Sequence, residues 1–312
     1  MITYDAIEAA ASRIHSYIHQ TPVLSSAYLN ELSGAKLFFK CENFQKTGSF
    51  KVRGATNSVL QLTAGEKQKG VATHSSGNHG QSLAWAAREA GVPAWIVMPS
   101  NAPQVKKNAV KAYGATVVEC EPTLEARETT LQKVQDETGA VFIPPYNAIR
   151  TIEGQATCAR ELHEQAPGLD YLLVPVGGGG ILSGSALSTK YISPKTVVMG
   201  CEPENADDAC LSLKKGEIVP SVNPNTIADG LKTSLGDITF EYIKELVVDI
   251  LLCSESDIKR AMQLIWERMK IIVEPSSAVA LACLLRHKEH FRAKRVGLIL
   301  TGGNVDLGSL PF

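Results

Sequence analysis

Residues 42–55 read Glu-Asn-Phe-Gln-Lys-Thr-Gly-Ser-Phe-Lys-Val-Arg-Gly-Ala, which places Lys51 between a turn and the start of a predicted helix. The turn chemistry comes from Thr47, Gly48 and Ser49, and the residues after Lys51 are mostly apolar or small. A lysine in such a position is usually a solvated surface residue. It can also be held in a cleft, where desolvation lowers its pKa and favours Schiff-base chemistry. The rest of the chain distinguishes these two interpretations.

Short apolar runs alternate with longer amphipathic stretches along nearly the whole chain. The predicted strands are 37–40, 71–74, 95–98, 116–119, 141–144, 171–176, 196–201, 248–252 and 296–300. The predicted helices include 81–90, 104–113, 124–137, 152–165, 181–191 and 255–270. Strands that alternate with helices form parallel sheets covered on both faces. We therefore expect an α/β fold.

The length of 312 residues and the spacing of these elements predict two lobes. The alternation is most regular from about residue 71 to 145, and it pauses at the Pro144–Pro145 turn. We expect residues 69–147 to form a small lobe, inserted between residues 1–68 and 148–312 of a larger one. A cleft between two lobes is a common site for a cofactor and its substrate, over which the small lobe would close.

The composition excludes several classes of partner. Lys and Arg number 31 and Asp and Glu number 32, which gives a formal net charge of −1. The chain therefore lacks the excess of positive charge that binds nucleic acid or an anionic membrane. The N-terminus does not resemble a signal peptide, and no apolar run reaches the roughly 18–20 residues of a membrane span. Seven scattered cysteines without a CxxC pair indicate free thiols. We expect a cytoplasmic homodimer that binds small molecules.

Four consecutive glycines join the predicted strand 171–176 to the predicted helix 181–191: Gly177, Gly178, Gly179 and Gly180. Bare N–H groups beside a helix N-terminus favour a bound phosphate, although a tight turn without a ligand remains an alternative. Glu202 follows the next strand, where a dinucleotide fold has its ribose-binding acid. The GxGxxG spacing fails, because the last glycine position falls on Leu182 or Ser183. A nicotinamide-dependent oxidoreductase therefore remains a weaker rival.

Six blocks in one order along the chain resemble a known family. They are SFKVRGA (49–55), SSGNHGQSLAWAA (75–87), PVGGGGILSG (175–184), IADGLK (227–232), EPSSAVALA (274–282) and TGGNVDL (301–307). The chain thereby resembles the serine racemase and serine/threonine dehydratase family of pyridoxal-phosphate (PLP) enzymes. The resemblance covers nearly the whole chain and implies a two-lobed tryptophan synthase β-like fold.

The resemblance also implies a set of cofactor-binding residues. Lys51 would form a Schiff base with PLP, Phe50 would lie against its ring, and Asn78 would bond its phenolic oxygen. The four glycines would hold the phosphate, and Thr301 would face the pyridine nitrogen. Gly230 and Glu274 would line the cofactor. A hydroxyl facing the ring nitrogen suits elimination or proton exchange better than transamination.

A polar turn at the start of a predicted helix carries the next assignment. Read from the residues alone, it is equally well a helix cap or a site whose N–H groups bind an anion. The resemblance implies that this turn grips the substrate carboxylate, with Ser76 on the face of the substrate opposite Lys51. The residues of this substrate loop are Ser75, Ser76, Gly77, Asn78 and His79. Both Lys51 and Ser76 are thereby implied to be catalytic.

An acidic loop follows the strand 196–201. Acidic loops are usually only solvated, but oxygen ligands are also the ones that hard divalent cations prefer. The resemblance implies that Glu202, Asp208 and the carbonyl of Ala206 bind Mg²⁺, or Ca²⁺ or Mn²⁺ in its place. Elsewhere we expect Lys106, Lys107 and Lys111 to form a solvated helix face.

The function implied is a PLP-dependent carbon–oxygen lyase, a serine/threonine ammonia-lyase, an amino-acid racemase, or both activities together. The first expectation is serine racemase with L-serine and L-threonine dehydratase activity, acting on 3-hydroxy amino acids. An L-threo-3-hydroxyaspartate dehydratase is the alternative, because Tyr146 stands where serine racemases tend to have another polar residue. A non-catalytic protein that binds PLP or an amino acid is the alternative from another class.

Overall fold

The computed structural model describes residues 2–312 and confirms the α/β fold. Its strands are β1 (Val23–Leu24), β2 (Lys36–Cys41), β3 (Val71–His74), β4 (Ala94–Pro99), β5 (Thr116–Cys120), β6 (Val141–Phe142), β7 (Tyr171–Pro175), β8 (Val197–Pro203), β9 (Asp249–Cys253) and β10 (Arg295–Leu300). Its helices are α1 (Tyr4–Ile14), α2 (Ala27–Ser33), α3 (Lys51–Leu60), α4 (Ala64–Lys69), α5 (Asn78–Glu89), α6 (Gln104–Ala112), α7 (Leu124–Thr138), α8 (Ile149–Gln165), α9 (Gly180–Ile192), α10 (Asp208–Lys215), α11 (Asp237–Leu246), α12 (Glu255–Met269) and α13 (Pro275–Arg286).

The strands form two separate sheets. One has six strands in the order β1-β2-β10-β7-β8-β9, parallel except for β1, which pairs antiparallel with β2. The other has four parallel strands in the order β5-β4-β3-β6. The four-stranded sheet draws only on the middle of the chain, as expected for an inserted small lobe. The lobe boundaries at 68/69 and 147/148 remain predictions.

The central strands of both sheets are buried on both faces, which explains their continuous apolar runs. In β7, Leu173 packs against α12 and α13, whereas Leu172 and Val174 point to the opposite face, under α8 and α9. In β4, Ile96 faces α5 and Val97 faces α7. The alternation follows from the two-residue period of a strand, in which successive side chains point to opposite faces of the sheet.

All nine predicted strands and six predicted helices are present, with shifted ends. The strand predicted at 141–144 stops at Phe142, because Pro144 and Pro145 lack the N–H groups that continue a ladder. Strand β1 was missed, since two residues are too few to show a period. No helix among the described residues is long and apolar enough to cross a membrane.

One surface expectation is wrong. Lys107 is buried, and its ammonium group donates to the carbonyl of Ser100 at 2.8 Å and to Glu119 at 3.0 Å. Its neighbour Lys106 pairs with Asp229 at 3.3 Å, which joins α6 to the larger sheet's side of the molecule. Long lysine stems can pack while their charged ends find partners, so a helical charge run alone does not establish a solvated face.

Candidate active site

A cleft of about 850 Å³ opens between the two sheets. It lies beyond the carboxyl ends of β3, β7 and β10, where open α/β sheets commonly bind ligands. Every predicted cofactor-binding and substrate-binding residue lines it. They are Phe50, Lys51, Ser75, Ser76, Gly77, Asn78, His79, Gly177, Gly178, Gly179, Gly180, Gly230, Glu274 and Thr301. Residues as far apart in the sequence as Phe50 and Thr301 thus meet at one site.

Lys51 is the first residue of α3 and is half-buried. Its backbone is held close to β10, since Phe50 N–H donates to Thr301 C=O at 3.0 Å. The Lys51 ammonium donates to the carbonyl of Pro145 at 2.8 Å and lies 5.1 Å from the centre of the Phe50 ring. Burial lowers the pKa of Lys51 to about 8, although the Glu274 carboxylate opposes this. A substantial neutral fraction near pH 8 suits a Schiff-base lysine.

A buried ion network anchors α3 behind this lysine. The Arg53 guanidinium bonds Glu42 through Nε at 2.7 Å and Nη2 at 2.8 Å, and it bonds Glu161 through Nη1 at 2.7 Å and Nη2 at 2.8 Å. Lys40 donates to Glu161 at 2.6 Å from the other side. Two cations thereby balance two carboxylates, and the network ties α3 to β2 and α8.

The glycine loop matches the predicted anion cradle. Gly179 has φ +89° and caps α9, a conformation that other residues rarely adopt. The Tyr146 ring packs directly on Gly178, where a Cβ would overlap it. Among the described residues, the N–H groups of Gly177, Gly178, Gly179 and Gly180 donate to no protein acceptor. Buried N–H groups at a helix N-terminus without a partner fit a phosphate.

The substrate loop joins β3 to α5. Ser75 N–H donates to Val97 C=O at 3.1 Å, and its hydroxyl accepts from Gly77 N–H at 3.3 Å. His79 is buried, and its Nε2–H donates to the Ile143 carbonyl at 2.8 Å. Burial lowers the pKa of His79 to about 3, so the imidazole is neutral. The N-terminal end of α5, where the helix dipole is positive, therefore faces the cleft, and the neighbouring imidazole of His79 adds no charge to it.

Asn78 is held at both ends of its side-chain amide. Its Nδ2 donates to Glu274 Oε1 at 2.9 Å, and its Oδ1 accepts from Asn304 Nδ2 at 2.8 Å. Burial raises the pKa of Glu274 to about 7, and the charge of Asp229 adds to this. Asn304 belongs to the TGGNVDL block, but no role was predicted for it. Its position three residues after Thr301 could have indicated that it lies near the cleft.

Thr301 lies at the end of β10 and is buried. Its hydroxyl is 3.1 Å from the Ser277 hydroxyl, so either oxygen can donate to the other. Gly230 N–H donates to the Ser276 hydroxyl at 3.0 Å. The first turn of α13 thus holds two walls of the cleft in place.

The structure brings further residues to the cleft that sequence patterns did not single out. They include Arg127 on α7, Lys106 on α6 and Asp229. The Arg127 Nε is buried and has no hydrogen-bond partner among the described residues. Arg127 lies one turn before Leu131 on the buried face of α7, but a single arginine in a mostly polar helix gives no sequence pattern that predicts a ligand contact.

The predicted metal ligands lie outside the cleft lining. Glu202 accepts from Ala209 N–H at 3.0 Å and Cys210 N–H at 2.9 Å, whereas both carboxylate oxygens of Asp208 are buried without a partner in the described chain. Burial raises the pKa of Glu202 to about 9 and that of Asp208 to about 6. A buried carboxylate that faces no cation is energetically costly, so these two carboxylates would suit a bound metal ion. No group of three or more His, Cys, Asp or Glu side chains among residues 2–312 could hold a metal.

Comparisons with known proteins agree with this geometry. A family model described as "Pyridoxal-phosphate dependent enzyme" matches residues 14–302. A beta-hydroxyaspartate dehydratase from Paracoccus denitrificans is 52% identical over 310 residues, which cover 99% of this chain and 98% of that protein. A serine racemase from Dictyostelium discoideum is 49% identical over 313 residues, covering 99% and 97%. The crystal structure of a serine racemase from the same organism has a TM-score of 0.94 at 49% identity, with 98% of this chain and 99% of that chain covered.

Proposed function

The chain belongs to the family of pyridoxal-phosphate-dependent enzymes, as its motifs predicted, and from this premise we propose that it dehydrates and racemises 3-hydroxy amino acids. One observation carries the proposal: Lys51 shares a cleft with four buried glycine N–H groups that have no protein acceptor. A reactive amine and a phosphate cradle in one cavity are the two attachments that PLP needs. The serine racemase activity with L-serine and L-threonine dehydration is the first candidate.

The proposed steps divide between the residues of the two sheets. Lys51 would hold the cofactor, and its amine, once the substrate has displaced it, would take the proton from Cα of the bound amino acid. The N–H groups of the Ser75–His79 loop, other than that of Ser75, which donates to the Val97 carbonyl, would hold the substrate carboxylate at the start of α5. Bound pyridoxal phosphate supplies an electron sink for the charge that develops at Cα. The β-hydroxyl would leave as water with a proton returned by Lys51, and hydrolysis of the remaining enamine would give a keto acid and ammonia.

Racemisation needs a proton donor on the other face of the same carbon. We assign this role to Ser76, whose hydroxyl returns a proton to the face opposite Lys51. Thr301 would face the ring nitrogen with a hydroxyl rather than a carboxylate. Because a hydroxyl stabilises a protonated ring nitrogen poorly, the sink is moderated, which favours elimination and proton exchange.

A dehydratase of 3-hydroxyaspartate is the second candidate, and two observations favour it. The Paracoccus relative of that name is 52% identical to this chain. Arg127 lies in the same cleft as Lys51, and its buried Nε has no partner in the described residues. A guanidinium suits a second carboxylate, which serine and threonine lack.

A substrate panel tests the proposal. PLP-loaded protein is supplied separately with L-serine, D-serine, L-threonine and L-threo-3-hydroxyaspartate, and keto-acid release and the opposite enantiomer are measured. Activity on serine with formation of its enantiomer supports the first candidate. A preference for hydroxyaspartate that Arg127→Met abolishes, with serine rates retained, supports the second. A PLP-loaded protein that turns over none of these substrates would be a binding protein, and the enzyme assignment would be wrong.

Three further features belong to this proposal. Glu202, Asp208 and the Ala206 carbonyl would hold Mg²⁺, Ca²⁺ or Mn²⁺, which would neutralise two buried carboxylates and brace the β8–α10 connection. The protein would act as a homodimer. It would work in the cytoplasm, where its seven free cysteines remain reduced.

A further inference from the structure

A chain of hydrogen bonds runs from the turn before Lys51 across the mouth of the cleft. Asn304 Nδ2 donates to the main-chain carbonyl of Thr47 at 2.8 Å and to Asn78 Oδ1 at 2.8 Å. Asn78 Nδ2 then donates to Glu274 Oε1 at 2.9 Å. The main-chain N–H of Asn304 donates to Glu274 Oε2 at 3.2 Å, so the chain closes on itself.

Only one assignment of donors and acceptors is possible along this chain of hydrogen bonds. A main-chain carbonyl can only accept, so Thr47 fixes which end of the Asn304 amide carries its nitrogen. Both hydrogens of Asn304 Nδ2 are then committed, one to Thr47 and one to Asn78. Asn78 must therefore turn its oxygen toward Asn304 and its nitrogen toward Glu274. Asn78 Nδ2 lies 2.9 Å from Glu274 Oε1 and 3.2 Å from Oε2, so one of its hydrogens can be shared between the two carboxylate oxygens, which leaves the other for a ligand in the cleft.

The Asn304 side chain is also tightly placed. A Cβ on Gly48 would lie 2.6 Å from Asn304 Oδ1, so the amide packs directly on the backbone of the turn that precedes Lys51. Gly48 has φ +71°, a conformation in which a side chain would itself be strained. The same amide thus contacts the Lys51 turn on one side and Asn78 on the other.

We propose that Asn304 is a positioning residue that fixes the amide orientation of Asn78, so that Asn78 presents an N–H donor to the phenolic oxygen of the cofactor. The inference rests on the proposed function, since it takes PLP as the ligand of the cleft. A donor stabilises the deprotonated form of that oxygen, whereas a reversed amide would present its own oxygen and repel it. Asn304 also lines the cleft, but the role inferred for it is exerted through its hydrogen bond to Asn78.

The test is a double-mutant cycle read by absorption rather than by activity. Wild type, Asn304→Ala, Asn78→Ala and the double variant are loaded with PLP. The ratio of the longer-wavelength band, from the deprotonated ring oxygen, to the shorter-wavelength band is then measured. We expect Asn304→Ala to lower this ratio several-fold, up to about tenfold, because a charge-assisted hydrogen bond is weakened. In the Asn78→Ala background, the same substitution changes the ratio less than about twofold.

An unchanged spectrum for Asn304→Ala, or an equal shift in both backgrounds, overturns the inference, since Asn304 would then have no effect on the cofactor or would act through the Thr47–Gly48 turn.

Asn304→Asp preserves the size of the side chain but repels both acceptors, so it should lower the ratio at least as far. Asn43→Ala is the matched control: it removes a 3.0 Å bond to the Ile272 carbonyl beside the same loop without touching Asn78, and the spectrum should not change. A wild type with no PLP band refutes the proposed function itself, which distinguishes the two failures.

Discussion

The ammonium group of Lys51 lies 2.8 Å from the main-chain carbonyl of Pro145 and bonds no carboxylate among the described residues. A carbonyl can hold the amine in place without the full charge that would keep it protonated. Burial therefore dominates and lowers the pKa of Lys51 to about 8. Lys51 is thus positioned by the connection that leads from the four-stranded sheet to α8.

The first prediction concerns the pH dependence of cofactor capture. Only the neutral amine of Lys51 attacks PLP, so capture by the cofactor-free protein should be slow at low pH and level off above pH 8. At pH 7 the rate should be about a tenth of the plateau, because the pH is one unit below the pKa. Stopped-flow absorbance after mixing with PLP measures it. A rate that keeps rising to pH 10 would mean an ordinary exposed lysine.

Ser76→Ala separates two reactions that share their earlier steps. Elimination from L-serine needs a base only on the Lys51 face, whereas racemisation needs a proton donor on the other face as well. The variant should lose D-serine formation from L-serine much more than pyruvate release, and it should also lose elimination from D-serine. Initial rates on both enantiomers at equal PLP occupancy measure this. Equal loss of all activities would mean that Ser76 only positions the substrate.

The buried network predicts a pH-dependent stability effect. Burial alone would raise the pKa of Glu42, but the Arg53 guanidinium outweighs it and holds that pKa below its ordinary value. In the wild type this contributes stability above about pH 4.5, which is lost as the pH falls through the folded pKa. Arg53→Met should cost about 3–5 kcal/mol at pH 7, since two buried carboxylates keep only Lys40.

In Arg53→Met the sign for Glu42 reverses. Without the guanidinium, burial raises the folded pKa above the unfolded one, so proton uptake stabilises the variant as the pH falls. The cost should therefore be smaller at pH 5 than at pH 7, measured by urea unfolding. Lys190→Met removes an exposed pair with Glu245 and serves as control, with an expected cost below about 1 kcal/mol at both values. A cost for Arg53→Met that does not change with pH contradicts the electrostatic account.

The metal assignment predicts a stabilising effect of divalent cations. Mg²⁺, Ca²⁺ or Mn²⁺ at about a hundred times its dissociation constant should stabilise the wild type by about 2.7 kcal/mol and raise its melting temperature by several degrees. Asp208→Asn should remove this response, yet be no less stable than wild type in EDTA, because a neutral amide replaces a buried carboxylate without a partner. Asp207→Asn, at the neighbouring position, should keep the response. If the wild type is confirmed to be metal-free and none of these cations changes its melting temperature, the metal assignment is wrong.

Local patterns in the sequence predicted the sheets, the glycine loop and the polar turn before α5, whereas the other cleft-lining residues were predicted through the family resemblance. Apolar runs mark strands, and glycines or serines after a strand mark the turns that face a ligand. The orientation of Asn78 could not be predicted, because it depends on Thr47, Glu274 and Asn304, which are far apart in the chain and meet only after folding. The burial of Lys107 was mispredicted for the same reason, since its partner Glu119 belongs to the next strand.

The central claim is that Lys51, and no other lysine, holds the cofactor in this cleft. It is tested most directly by reducing the PLP-loaded protein with borohydride and mapping the modified peptide by mass spectrometry. We predict a single modification on Lys51, loss of the visible band on reduction, and an unmodified Lys51→Ala variant that has no dehydratase or racemase activity. Lys46→Ala, changed at the nearby turn, should be labelled and active like the wild type. Modification of a different lysine, or turnover by folded Lys51→Ala protein, would contradict the account.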